Sequence, residues 1–167
     1  SATDLVTTSD DVITINFGSV ASSTARINEI NALAEQAGVT SITGTLTGVS
    51  VADIALLSTS LSSTNSTINF TVDEVLTVAE AESLLAHTDT SSAAIEFSAG
   101  ITDSLSSYAG LGGTTTKLNS IVAEDKDLVA TVSGTLASAN DITQLNYLAS
   151  KFDETGVTAK ILATIET

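Results

Sequence analysis

Isoleucines 15, 42, 68, 95 and 121 lie 27, 26, 27 and 26 residues apart in a chain of 167 residues. A near-constant step of this length is the mark of a repeat architecture, in which each unit buries its apolar face against the next. Each isoleucine stands in a short run with the two-residue alternation of a strand: Thr14-Ile15-Asn16-Phe17, Ser41-Ile42-Thr43, Thr67-Ile68-Asn69-Phe70, Ala94-Ile95-Glu96-Phe97 and Ser120-Ile121-Val122. Every one of them follows a small or hydroxyl residue.

Between these anchors the apolar period lengthens to that of a helix. Ile27, Ile30, Leu33, Ala34 and Ala37 form one stripe, Ile54, Leu57 and Leu61 a second, and Ala81, Leu84 and Leu85 a third. Leu105, Tyr108 and Ala109 follow, then Ile142, Leu145, Leu148, Ala149 and Phe152. Ser50 before Asp53 and Thr77 before Glu80 are capping-box pairs, and Asp103 and Asn140 are good starting residues for the later helices. Gly38 and Gly156 stand just past helical stripes, where a left-handed closing residue fits.

A strand, a helix and a second strand one repeat later can pair in parallel only by a crossover, and crossovers are right-handed. The expected fold is therefore α/β: a right-handed α/β solenoid of about 26–27-residue strand–helix repeats with a one-sided parallel sheet. It forms a single repeat-array domain over 1–167, with units starting near 12, 40, 66, 93 and 119. The last stretch, 126–167, is irregular, because Leu128-Val129-Ala130-Thr131-Val132 inserts a further β-like run and another strand follows from Thr158 to Ile165. Gly134-Thr135-Leu136-Ala137-Ser138 echoes Gly18-Ser19-Val20-Ala21-Ser22 of the first unit. Gly110 to Thr116 reads as a flexible loop.

The alternation puts Ile13, Ile15 and Phe17 toward the helices and turns the intervening residues outward. Candidate binding residues on that outward face are Asn16, Thr43, Thr45, Thr47 and Asn69. They would form a lawn of hydroxyls and amides suited to carbohydrate, or in second place to ice, although Glu96 and Glu124 interrupt its regularity. Open ends of such a stack seek another strand, so the expected partners are copies of the chain itself or neighbouring repeat domains.

Composition narrows the chemistry. With 20 Asp plus Glu against 5 Lys plus Arg, the net charge is −15, which leaves no basic groove for nucleic acid. Hydrophobic residues make up 43% and charged residues 15%, a folding composition and not that of an acidic disordered tail. Zero cysteine excludes thiol catalysis and cysteine-based zinc sites, and His87 is the sole histidine, at the tail of a helical stripe. Gly110-Leu111-Gly112-Gly113 lacks the Lys that a phosphate loop needs. The chain is read as non-enzymatic. No apolar run is long enough to cross a membrane as a helix. Ser1-Ala2-Thr3-Asp4, without Met or a signal segment, reads as a start processed or excised from something longer.

Calcium is the one cofactor that the acidic balance admits, since it takes carboxylate and backbone oxygens. The candidate ligands are Asp11, Asp73 and Asp125, from the pairs Asp10-Asp11 and Asp73-Glu74 and the group Glu124-Asp125 with Asp127. The alternative role for these acids is as solvated turn residues.

Val72-Asp73-Glu74-Val75-Leu76-Thr77-Val78-Ala79-Glu80-Ala81 and Ile101-Thr102-Asp103-Ser104-Leu105 resemble repeat regions of large secreted bacterial surface proteins of the RTX-adhesin and S-layer-associated kind. The resemblance covers residues 40–125 and implies an extracellular structural or adhesive role, with no catalytic residues to carry over. The glycine-aspartate nonapeptides of calcium-binding RTX coils are missing, so it brings no metal ligands either.

Overall fold

A computed structural model describes residues 8–58, 67–86, 94–109, 121–122, 125–152 and 158–165. The chain divides into two compact units, Ser1–Asp73 with Ser83–Ile95, and Glu74–Glu82 with Glu96–Thr167. His87, Leu61, Gly156, Glu124 and the Gly110 to Thr116 stretch lie outside the described residues.

The first unit runs β1 (Ile13–Ala21), α1 (Thr24–Ala34), β2 (Val39–Val49), α2 (Val51–Ile54) and β3 (Thr67–Val72). After α3 (Val78–Leu85) comes β4 (Ile95–Phe97), and the sheet order is β1-β2-β3-β4. Both β1–β2 and β2–β3 are parallel. Burial follows the two-residue period: Ile68, Phe70 and Val72 of β3 are buried while Thr67, Asn69 and Thr71 are half-buried. Ile27, Ile30 and Ala34 of α1 are buried, as the stripe predicts.

The second unit runs β5 (Ile101–Asp103), α4 (Leu105–Ala109), β6 (Val129–Leu136), α5 (Ala139–Phe152) and β7 (Lys160–Ile165), with sheet order β5-β6-β7 and every pair parallel. Leu76 adds an isolated parallel bridge to Ile101. Its core is built from Leu105, Tyr108, Ala130, Val132, Leu136 and Leu148. The strand–helix–parallel strand alternation therefore holds in both units.

Three details differ from expectation. The parallel strands form two sheets, not one, because Gly100 (φ +75°) donates its N–H to Phe97 O at 2.8 Å and closes a tight turn between β4 and β5. The fifth anchor is not a strand: Ile121 and Val122 are helical and buried, and Asp125 N–H bonds Ile121 O at 3.0 Å. Two apolar residues carry no period, so their helical turn was indistinguishable from a strand, and the run that looked like an insertion supplies β6 instead. Finally, Ile15 lies beside Ile42, but Ile68 lies beside Gly44 and it is Phe70 that meets Leu46. Even spacing in sequence is thus not even register in space: Ile68 meets β2 two residues beyond Ile42, and the ladder shifts again between Leu46 and Val49, around Gly48 (φ +66°).

Capping follows chemistry more than position. Ser50 and Asp53 form the reciprocal capping box, and Thr77 and Glu80 exchange the same pair of bonds. The later helices start one or two residues from where expected: Ser104, not Asp103, accepts Ser107 N–H, and Ser138, not Asn140, accepts Asp141 N–H at 3.1 Å. Both serines lie one residue before the first helical residue, where a side-chain oxygen can reach the third N–H of the turn.

Candidate functional site

On the outward face of the first sheet, Asn16, Gly18, Thr43, Gly44, Thr45, Thr67 and Asn69 line a shallow hollow of about 480 Å³. Register builds it in rows. Asn16 lies beside Thr43 and Thr43 beside Thr67, while Ser19 lies beside Thr45 and Thr45 beside Asn69. Neighbouring strands are about 4.8 Å apart, so each row presents polar groups at a fixed spacing.

Four of the five binding candidates, Asn16, Thr43, Thr45 and Asn69, share this hollow. Thr47 does not line it; it lies beside Ala21 and donates its hydroxyl to Val20 O at 3.4 Å. Thr43 donates likewise to Ile15 O at 3.4 Å. Asn16 Oδ1 accepts Gly18 N–H at 2.8 Å, and Asn69 Oδ1 accepts Ala94 N–H at 2.9 Å. These bonds hold each amide through its oxygen. Neither glycine was among the binding candidates. Gly44 has a visible reason: a Cβ there would stand 2.4–2.6 Å from the ring of Phe17, which covers it from the core side.

The three candidate calcium acids stand in different surroundings. Among the described residues no group of three His, Cys, Asp or Glu is placed to hold a metal. Asp11 closes its own turn, its Oδ2 accepting Thr8 N–H at 2.7 Å and the Thr8 hydroxyl at 3.2 Å. Asp73 is exposed, next to Gly48. Asp125 is buried, with Oδ2 accepting Phe97 N–H at 2.8 Å and Oδ1 accepting Asp127 N–H at 3.2 Å.

Asp125 belongs to a set. Asp103 Oδ2 accepts Val78 N–H at 3.0 Å, 25 positions away in sequence. In the first unit Asn31 donates to Leu56 O at 2.7 Å and accepts Ser58 N–H at 3.0 Å. With Asn69 and Ala94, these are bonds from a short acid or amide to backbone one repeat away. Local turns usually absorb such side chains; here they tie one strand–helix step to the next.

Two of these carboxylates titrate in opposite directions. Burial opposes ionisation of Asp103, but hydrogen bonds from the Ser107 side chain and from Ser104 and Val78 N–H outweigh it, so its pKa is lowered. Burial dominates at Asp125 and, with Asp127 close by, raises its pKa despite the Phe97 N–H bond. A lowered carboxyl stabilises the fold above its unfolded value, and that contribution disappears as pH falls through the folded pKa. A raised carboxyl costs stability once ionised, and the cost disappears in acid. Asp103→Asn is therefore expected to lose about 1 kcal/mol at neutral pH, a charge-assisted bond discounted for solvent screening. Asp125→Asn removes the buried charge but keeps an oxygen for only one of its two N–H donors, so it is expected to cost less than Asp103→Asn there. Urea titrations should show the Asp103→Asn loss shrinking as pH falls below about 4, whereas Asp125→Asn should worsen relative to the parent as pH falls toward about 4 and the parent sheds its burial cost. A larger loss for Asp125→Asn than for Asp103→Asn at pH 7 would contradict the assignment.

No protein-family model, curated protein or solved structure matches the chain.

Proposed function

We propose that the chain is a non-catalytic structural module of an extracellular bacterial surface array, filament or adhesin, built as an α/β solenoid whose rungs continue into neighbours. The observation that carries this reading is the contrast between inner and outer strands. Val39, Ile42 and Leu46 of β2 are at most 7% exposed, whereas their β1 neighbours Ile13, Ile15 and Val20 are only half-buried. The same holds at the far strand of the second sheet, where Leu136 is 5% exposed and its neighbour Ile165 is 49% exposed. An apolar face that stays open at an edge is a surface made for association. The Ser/Thr-rich, cysteine-free acidic composition and the resemblance to secreted surface repeats support the location. No helix among the described residues is long and apolar enough to cross a membrane.

Sedimentation and negative-stain electron microscopy test the reading together. Growth into dimers and longer strings with concentration is expected; a single monomeric species at every concentration would overturn it.

A second reading, a ligand-binding face for carbohydrate, rests on the hollow formed by Asn16, Thr43, Thr45, Thr67 and Asn69. Thr45→Arg would fill it while leaving the buried face untouched. On a glycan array the variant is expected to lose whatever binding the parent shows, at unchanged melting temperature; equal binding by both would remove the hollow as the site.

A further inference from the structure

We propose that the module associates head to tail by strand addition: β7 of one copy pairs in parallel with β1 of a second copy. Ile161 then lies beside Ile13, Ala163 beside Ile15 and Ile165 beside Phe17. This rests on the structural reading above and specifies its contact.

Both strands are edges. Each sheet order ends on one of them, β1 in the first sheet and β7 in the second, and among the described residues nothing pairs beyond. The backbone says which groups are open. Ile13 N–H is committed to Gly38 O at 2.8 Å and Lys160 N–H to Leu128 O at 2.8 Å. Alternate residues of a strand turn their backbone groups to opposite sides. Thr14 and Asn16 therefore offer theirs at the outer edge of β1, and Ile161, Ala163 and Ile165 offer theirs at the outer edge of β7.

The chain itself shows what such an edge takes. β6 echoes β1 in sequence and in shape: Gly18 (φ +72°) and Gly134 (φ +84°) are both left-handed within a strand, at a shift in the ladder. Each strand leads to a serine-capped helix, through Ser23 and Ser138, and then to a parallel neighbour. The other side of β6 is filled by β5, a parallel strand. Among the described residues no strand fills the matching side of β1. Because both β1–α1–β2 and β6–α5–β7 are crossovers of one hand, β1 presents a trailing edge and β7 a leading edge. Such edges are complementary and not self-complementary, so the contact is heterologous and propagates.

Side chains select the register. Ile161 and Ile165 lie beside buried Ala130 and Leu136, so they occupy the core face of their sheet; Ile13 and Ile15 lie beside buried Val39 and Ile42. A slip of one residue would turn every core side chain outward. A slip of two would bring Ile165 to Ser19, past the Gly18 irregularity and on the polar face. In the remaining register Lys160 comes beside Val12, which is 83% exposed, and next to Asp10 and Asp11. One of only five cations in a chain of net charge −15 thus meets an acidic pair.

The absence of cysteine makes the test specific. In the proposed register Thr14 and Leu162, both exposed, are outward neighbours on adjacent strands about 4.8 Å apart, within disulfide reach. Full-length Thr14→Cys and Leu162→Cys variants are mixed and mildly oxidised, and each is also oxidised alone. A band of doubled mass in the mixture, and not in either variant alone, is expected. Ala163→Pro, which removes an outer-edge donor and leaves the Lys160 bond to β6 in place, should abolish association in sedimentation. Association without the mixed disulfide, or undiminished by Ala163→Pro, would overturn this contact and leave the broader reading standing. Absence of association in the parent would overturn both.

Discussion

Tyr108→Ala is expected to destabilise the second unit by about 4 kcal/mol, in the range of aromatic-to-alanine truncations in cores. The side chain is fully buried, and its hydroxyl lies 2.6 Å from Ile101 O and 3.1 Å from Thr131 O. One ring from α4 thus reaches carbonyls of two adjacent strands, β5 and β6. Truncation opens a cavity and removes the one hydroxyl donor that the two carbonyls share. Tyr108→Phe separates the two effects, because it keeps the ring and should cost only about 1–2 kcal/mol. Burial, with the nearby Asp103 carboxylate, raises the phenol well above its ordinary pKa. Ionisation is therefore resisted in the folded state, and stability should fall as pH rises above the unfolded value of about 10. Chemical denaturation of the three proteins, followed through pH 11, measures all of this. Equal costs for Ala and Phe would contradict the cavity account.

Gly100→Val should cost about 3 kcal/mol or more, and Gly134→Val distinctly less. Both glycines are left-handed, at φ +75° and +84°, so any side chain pays a steric cost of about 1–2 kcal/mol there. Only Gly100 is also enclosed: a Cβ would stand 2.5 Å from Val129 O and 3.3 Å from Val129 Cβ, whereas nothing lies within 4 Å at Gly134. The obstructing atom is backbone of β6, which cannot move without breaking its ladder to β5. Thermal unfolding of the pair tests this difference directly. Similar melting temperatures would mean that the turn between β4 and β5 yields, and that Gly100 does not fix where one sheet ends and the next begins.

Local chemistry was legible in the sequence. The two capping boxes and the alternation of β1 and β3 are set by residues within a few positions of one another and appear as read, whereas β2 buries Val39, Ile42, Leu46 and Val49 and the stripe through Ile54 shortens to the four residues of α2. The echo between Gly18 and Gly134 also appears as read, because a left-handed strand residue demands glycine wherever it occurs. What could not be read depends on partners far along the chain. Ile121 lacked neighbours that would give it a period. Asp103 read as a helix start and Asp125 as a solvated or calcium acid, yet their oxygens accept backbone N–H groups 25 and 28 positions away. Asn31 gave no signal for the same reason. The outward hollow was half-legible: alternation picked Asn16, Thr43, Thr45 and Asn69, while Thr47, which falls in the ladder shift between Leu46 and Val49, lies outside it.

The central claim is that the open apolar edges of β1 and β7 exist to be covered by further rungs. Sedimentation velocity of the full chain, over a hundredfold range of concentration at low and high salt, tests it most directly. With a net charge of −15, copies repel one another, and salt screens that repulsion while leaving strand pairing and apolar burial intact. The account predicts a weight-average sedimentation coefficient that climbs with concentration and climbs further in high salt. A coefficient fixed at the monomer value under all of these conditions would contradict it.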